Sequence, residues 1–570
     1  MITTTSFRSK ALALVIAGSL ALAPLSGCAA FSHATSTQSN EAKTSTETEY
    51  YADAAEGSGY YAMTDSSTMY YEPDVPFNTE EYAAIDETGF ISTLTRPLST
   101  VSADVDTASW CNLRRMVRDG YVLAGTDVDE DGNSDEYYYD YGTIPAGAVR
   151  IEEMLNYFGY DYEKPAAGDD FAVTARMGTC PWNEKTDLLV LGFSTADEDT
   201  ASEKGRNLVF LIDVSGSMDS PDKLYLLQDS FAGLVEQLGP NDRVSIVTYA
   251  SGEELVLDGV AGDRDREILR AINRLRADGS TNGERGLELA YEVAEKHFIE
   301  GGVNRIIMAS DGDLNVGMTS ESDLHDYVSK KRETGVYLSV LGFGSGNYKD
   351  TKMETLADDG NGQYHYIDCE EEALHVFGDK LCANLVPFAD DVKFQIEFNP
   401  AQVKGYRLIG YENRALADED FRDDSVDAGD VGPEAQFTVA YEIVPADSDF
   451  EVAGSDLKYQ ETTYSGSDEW LTCTLRWHSF ADGEYHEMAS TVDESTWAAA
   501  PGSDWNFQAA IIELGMLMRG SEYAGNTSFE NIYQLAEQGP EDAERDGFVE
   551  LVRELEDNSD LTDWSTIVEE

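Results

Sequence analysis

The chain has 570 residues, too many for one core and enough for three or four domains at about 150 residues each. With 42% apolar and 11% aromatic residues it can bury sizeable cores, which excludes a chain disordered throughout. Lys and Arg number 39 against 109 Asp and Glu, a formal charge of −70 that argues against nucleic acid and against anionic bilayers as direct partners.

Arg8 and Lys10 precede an apolar stretch over residues 11–24, too short for a comfortable membrane span. It ends in Leu25-Ser26-Gly27-Cys28. This tetrad resembles the lipobox of bacterial lipoproteins. The resemblance implies an exported protein lipidated at Cys28 and held at the cell membrane or cell surface by that lipid alone. Five cysteines remain: Cys111, Cys180, Cys369, Cys382 and Cys473. None forms a C-x-x-C pair, which excludes a zinc ribbon or a thioredoxin site. The number is odd and the spacing wide, so no bridge is assigned and at least one thiol is expected to be free in the core.

Residues 29–76 read as a tether rich in Ser, Thr, Ala and Glu, with Tyr pairs at Tyr50-Tyr51, Tyr60-Tyr61 and Tyr70-Tyr71. Residues 77–200 form an expected flanking domain, with strands over 98–105, 171–177 and 188–193. A helix is expected over 150–158, striped by Ile151, Met154, Leu155 and Phe158. Residues 201–386 alternate strand and helix. Residues 387–570 return to strands, over 392–398, 406–411, 437–444 and 471–477, and end in a helical tail over 504–556. Strand runs stop near Ser194 and resume near Asp391. The flanks are therefore expected to form one β-rich unit with the α/β domain inserted between them.

Within the α/β segment, residues 208–212 are a continuous apolar run, the pattern of a central parallel strand buried on both faces. Asp213-Val214-Ser215-Gly216-Ser217-Met218 follows it. A helix carrying Leu224, Leu227, Phe231, Leu234, Val235 and Leu238 comes next. Further strands are expected over 243–249, 304–309 and 336–343, and a second helix along Leu287, Ala290, Tyr291, Ala294 and Phe298. This alternation predicts a doubly wound sheet, whose ligands bind beyond the carboxyl ends of the strands. Two candidate sites lie at such ends: D-x-S-x-S at Asp213, Ser215 and Ser217, and Asp311 in Ser310-Asp311-Gly312-Asp313. Asp278-Gly279-Ser280-Thr281-Asn282-Gly283 is a loop between them. Together they offer hydroxyls and carboxylates but no soft ligand, which suits a hard cation such as Mg²⁺. An ion held mainly by neutral hydroxyls stays electron-poor and attracts an anionic oxygen.

The ordered set of D-x-S-x-S, Thr281 and Asp311 resembles the metal-ion-dependent adhesion site of von Willebrand factor type A domains. That resemblance implies Mg²⁺ or Mn²⁺ touched by Ser215, Ser217 and Thr281, with Asp213 and Asp311 acting mostly through water. Asp313 and Asn315 match nothing in the motif. The flanks resemble a bacterial subfamily of such proteins in five stretches: Pro97-Leu98-Ser99-Thr100, Asp104 to Ser109, Ala148 to Glu153, Tyr406 to Asn413 and Arg519 to Tyr523. The implied architecture is a doubly wound, Rossmann-like α/β domain inserted between β-rich flanks, with a helical C-terminal tail.

One further motif stands in the N-terminal flank. Asp127, Asp129, Asp131 and Asp135 alternate around Gly132 and resemble a Ca²⁺ loop of the EF-hand or thrombospondin type 3 kind, although Tyr138 stands where an EF-hand has Glu. The expected function is a lipid-anchored surface adhesion or scaffold module that captures an Asp or Glu of a protein partner through the metal. The alternative is a metal-dependent envelope enzyme or an accessory subunit of an envelope complex. No G-x-S-x-G, H-E-x-x-H or phosphate-binding glycine loop is present, so neither catalysis nor nucleotide binding is expected. The last α/β helix, with Ala373, Leu374, Phe377, Leu381 and Leu385 as its stripe, leads straight into the C-terminal β region.

Overall fold

The computed structural model describes residues 79–123, 142–197, 204–281, 283–312, 321–346, 348–379, 385–454 and 466–560. Cys28, the tether, the Asp127–Asp135 loop, Asp313, Asn315 and Cys382 lie outside them. The four described cysteines, Cys111, Cys180, Cys369 and Cys473, are free thiols. Every described residue belongs to one unit, Asp74–Glu570.

Among the described residues, three sheets organise the fold. The α/β sheet runs Tyr364–Ile367, Tyr337–Phe343, Val303–Ser310, Arg206–Asp213, Arg243–Tyr249, Glu253–Ala261. All neighbours are parallel except the last pair, where Glu253–Ala261 returns antiparallel to Arg243–Tyr249. The central strand Arg206–Asp213 is buried from Asn207 onward. Its alternate side chains enter different cores, Leu208, Phe210 and Ile212 on one face and Val209 and Leu211 on the other, as the two-residue strand period requires.

The other two sheets are antiparallel and mix strands from both flanks. One runs Ile91–Ser92, Val403–Ile409, Gln436–Pro445, Asp187–Thr195, Phe171–Thr179. The other runs Ala415–Leu416, Leu98–Ser102, Ala389–Phe398, Glu469–Ser479, Tyr485–Asp493, with Gly429–Val431 also paired to Ala389–Phe398. Their facing side chains make one core, in which Phe193 stacks on Phe437 at 4.6 Å and Phe398 on Tyr406 at 4.1 Å. Asp187–Thr195 is buried along its whole length because helix Ser503–Arg519 covers its outer face, Trp505 Nε1 donating to the Leu188 carbonyl at 3.2 Å. A buried ion pair behind this strand is fully served. Arg407 donates to Glu442 at 2.9 Å, and Glu442 also accepts from Trp182, Asn183 and Thr186. Such completeness is what makes a buried charge tolerable.

Among the described residues, four arginines of the flanks reach carboxylates of the α/β domain, Arg118 only loosely, at 3.7 Å from Asp368. Arg114 meets Asp368 and Glu372, Arg150 meets Asp350, and Arg414 meets Asp358 at 2.8 Å. In a chain with so few cations, this junction is where several of them are concentrated.

Local expectations shift in places. The strand expected over 98–105 ends at Ser102, and a helix the periodicity did not reveal, Ala108–Arg118, follows it. Its buried stripe of Trp110, Leu113, Met116 and Val117 is diluted in sequence by Arg114, which reaches Asp368 across the junction, and by Asn112 and Arg115, which bond to each other, Arg115 also to Glu80. Strand Tyr485–Asp493 was also hidden, being a polar edge with one face in solvent. Phe298 lies beyond the end of helix Glu284–Lys296 and is exposed. The last α/β helix runs Glu370–Leu374 and continues as a π turn, His375–Asp379; Ala373 and Phe377 are buried but Leu374 is exposed.

Candidate metal centre

The central strand ends at Asp213, and the chain then leaves the sheet through a short 3-10 turn, Gly216–Met218. Asp213 is fully buried. Its Oδ1 accepts the Ser215 N–H at 2.8 Å, which folds the loop back on itself. Its Oδ2 is buried without a hydrogen bond of normal geometry among the described residues; the neighbouring Tyr249 hydroxyl, also without one, interacts with the carboxyl only weakly and opposes the rise in its pKa. Burial pushes the Asp213 carboxyl up to about 6; Asp311 adds to the rise and the Ser215 hydrogen bond opposes it. Ser215 and Ser217 place their hydroxyls 3.0 Å apart, one buried and one exposed.

The second loop is bound to the first by its backbone. Asp278 N–H donates to the Val214 carbonyl at 2.8 Å, and Gly216 N–H donates to the Gly279 carbonyl at 3.0 Å. Gly279 has φ +89°, a left-handed turn that glycine adopts without a Cβ clash. Thr281 follows two residues on, half-buried. The third piece is Asp311, 2% exposed, one residue past the parallel strand Val303–Ser310. Lys223 joins first and third: its Nζ donates to Asp311 Oδ2 at 3.0 Å and to the Ser217 carbonyl at 3.1 Å.

The fold thus brings Asp213, Ser215, Ser217 and Asp311 to one end of the sheet, with the Thr281 loop tied to them. A buried carboxylate oxygen lacking a partner is costly, and a divalent cation would satisfy it. Two hydroxyls and carboxylate oxygens are hard donors, so the residues present fit Mg²⁺ or Mn²⁺. Lys223 was not singled out from the sequence. The available signal was its isolation, for it is the one basic residue between Arg206 and Arg243. Five described histidines pair elsewhere: His297 with Asp258, His325 with Asp359, His478 with Asp390, His486 with Asp482 and His365 with Thr107.

Three family models match successive parts of the chain. These are von Willebrand factor over residues 76–130 and 125–190, von Willebrand factor type A domain over 207–380, and Uncharacterized protein YfbK, C-terminal, over 383–557. The Escherichia coli (strain K12) "Uncharacterized protein YfbK" is 38% identical over 498 residues, covering 85% of this chain and 82% of that one. Mouse (Mus musculus) "Inter alpha-trypsin inhibitor, heavy chain 4" is 26% identical over 174 residues, 29% of this chain and 18% of its own. Among solved structures, "von Willebrand factor type A from Catenulispora acidiphila" covers 67% of this chain and 89% of its own at 15% identity, with a TM-score of 0.40. Von Willebrand A domains as a class often serve adhesion or protein interaction and commonly bind a divalent metal. With a match of this identity and extent, the chain belongs to the family of Escherichia coli YfbK, a von Willebrand factor type A domain carried between flanking regions of its own.

Proposed function

We propose that the protein is an exported, lipid-anchored surface module that binds a protein partner by capturing its Asp or Glu at a divalent ion. Asp213, Ser215, Ser217, Thr281 and Asp311 would hold Mg²⁺ or Mn²⁺, and Cys28 would carry the lipid. The observation that supports this most is the unpartnered Asp213 Oδ2, buried beside two converging hydroxyls at the carboxyl end of the central strand. The ion would supply a positive, incompletely satisfied centre. The chain's own part is to orient the hydroxyls and keep the two carboxylates close. The reading is of binding, not catalysis, because the described histidines named above are engaged elsewhere. Ca²⁺ at Asp127, Asp129, Asp131 and Asp135 remains part of the proposal as a second cation.

The charge of −70 opposes an acidic partner at long range. Screening over roughly 8 Å at physiological salt confines that repulsion to close approach. Association is therefore expected to be slow and to accelerate with added salt, the reverse of steering between opposite charges.

Two measurements test the proposal. Mg²⁺ or Mn²⁺ should raise the melting temperature of the wild-type chain, since a ligand bound only by the folded state stabilises it; Asp213→Asn should remove that rise. Pull-down from cell-surface extracts should recover a partner that chelator releases and that Asp213→Asn does not bind. Partner retention indifferent to both chelator and Asp213→Asn would falsify capture through the metal.

A further inference from the structure

We infer that Lys223 is a built-in competitor for the divalent ion, holding Asp311 so that the metal binds weakly alone and firmly together with a carboxylate. This inference rests on the metal-site reading above.

Lys223 is a placed side chain, not a surface lysine. It is only 9% exposed along its side chain, and its ammonium group contacts two of the three loops that make the site. It sits in the wide π turn Pro221–Tyr225 that opens helix Leu226–Glu236, where its own backbone departs from helical values at φ −123°, ψ −110°. The stem crosses Gly344 in the loop after strand Tyr337–Phe343. Gly344 has φ +74°, and a Cβ there would lie 2.1 Å from Lys223 Cε. The loop is therefore shaped to let this side chain through.

The contacts are also selective. Lys223 serves Asp311 and leaves Asp213 Oδ2 without a partner. The two carboxylates carry two negative charges and Lys223 returns one positive charge. A divalent ion arriving alone meets a site of net charge −1 and must share Asp311 with an ammonium group 3.0 Å from it. Once loaded, the same site carries net +1, which a carboxylate neutralises. Lys223 thus weakens the first step and strengthens the second. Metal and carboxylate then raise each other's affinity by the same factor, as linkage requires. A surface so rich in carboxylates gains from this arrangement, because stray cations are not retained at the site without a partner.

The test uses the full chain and Mn²⁺ as the probe, with free Mn²⁺ read by electron paramagnetic resonance, with and without acetate. Binding that persists in Asp213→Asn is subtracted as binding to the acidic surface. Lys223→Met keeps the stem and removes the charge; Lys223→Gln is the second variant, and circular dichroism reports folding. The expected result is Asp213-dependent Mn²⁺ affinity about tenfold tighter in both variants, with less enhancement by acetate than in wild type. Unchanged or weaker Mn²⁺ affinity in a folded variant overturns the inference and makes Lys223 a structural tie, while the metal site itself stands. Failure of both variants to fold has the same meaning. Absence of Asp213-dependent binding in every chain, wild type included, overturns the inference together with the metal-site reading.

Discussion

Replacing Arg150 with Met is expected to destabilise the chain by about 3–5 kcal/mol, the range for removing one partner of a buried ion pair. Arg150 is 4% exposed and stands at the start of helix Ile151–Tyr157. Its guanidinium donates to Glu153 through Nε and to Asp350 Oδ2 at 2.5 Å, with Glu354 Oε2 at 3.6 Å. Asp350 in turn accepts from the Tyr364 hydroxyl at 2.9 Å. Without the cation, three carboxylates face one another in a site that water does not reach freely. Glu153 already shows the tension: burial, Asp104 and Glu354 push its carboxyl up to about 8 against the pull of Arg150. Denaturant midpoints of wild type and Arg150→Met give the loss directly. Adding Asp350→Asn to Arg150→Met should recover part of it, since the buried carboxylate that has lost its cation is then neutral. A loss below about 1 kcal/mol, the scale of a surface pair, would mean that the junction is wetter than its geometry indicates. Because Asp350 opens the α/β helix Asp350–Asp359, the same variant should also loosen the α/β domain from its flank, seen as new cleavage by a protease at the junction.

That network marks the limit of what the sequence discloses. The apolar run ending in Asp213, the serines after it and Asp311 at a later strand end were legible because each is a local pattern. So were the main flank strands, whose alternation or apolar runs are intrinsic to the segment. Arg150, Arg414 and Lys223 were not, because their meaning lies in partners far away in sequence: Asp350 at 200 residues, Asp104 at 310 and Asp311 at 88. Helix Ala108–Arg118 shows the same cause at smaller scale. Its arginines look like solvent-facing residues until the acids they meet are known. The burial of Asp213 is not legible in the sequence for a related reason. A strand end is solvated only if no loop closes over it, and here the Gly279 carbonyl and the Lys223 stem both lie across the opening. Leu374 and Phe298 erred in the other direction, as apolar residues counted into a helical stripe that the helix end or its neighbours leave exposed.

Stability is expected to fall as pH rises from 5 to 8, because several buried or half-buried carboxyls, Glu153, Asp358, Glu152 and Glu513 among them, are held above their ordinary range, and the last two show the cause most simply. Glu152 and Glu513 are at most 1% exposed, and none of their four carboxylate oxygens has a hydrogen-bond partner among the described residues. Burial, then Glu412, pushes Glu152 up to about 7 against Arg519. Burial pushes Glu513 up to about 7 as well. In the unfolded chain both would release their protons near 4.3. Between these limits the folded state holds more protons than the unfolded one, so each unit of rising pH costs stability. The cost is absent below the unfolded value, grows through the window, and is complete above about 7. At 1.36 kcal/mol per unit it amounts to at most about 3.7 kcal/mol for each group. Asp258, Asp482 and Asp493 shift downward through local hydrogen bonds, but they sit in solvent, which screens them. Denaturant titrations at pH 5 and pH 8 test the sign. Glu513→Gln should match wild type at pH 5 and exceed it by about 2–3 kcal/mol at pH 8, because the amide keeps the neutral shape that burial selects. If Glu513→Gln follows the wild-type pH dependence, Glu513 is ionised in the fold at neutral pH and a cation or water meets its oxygens.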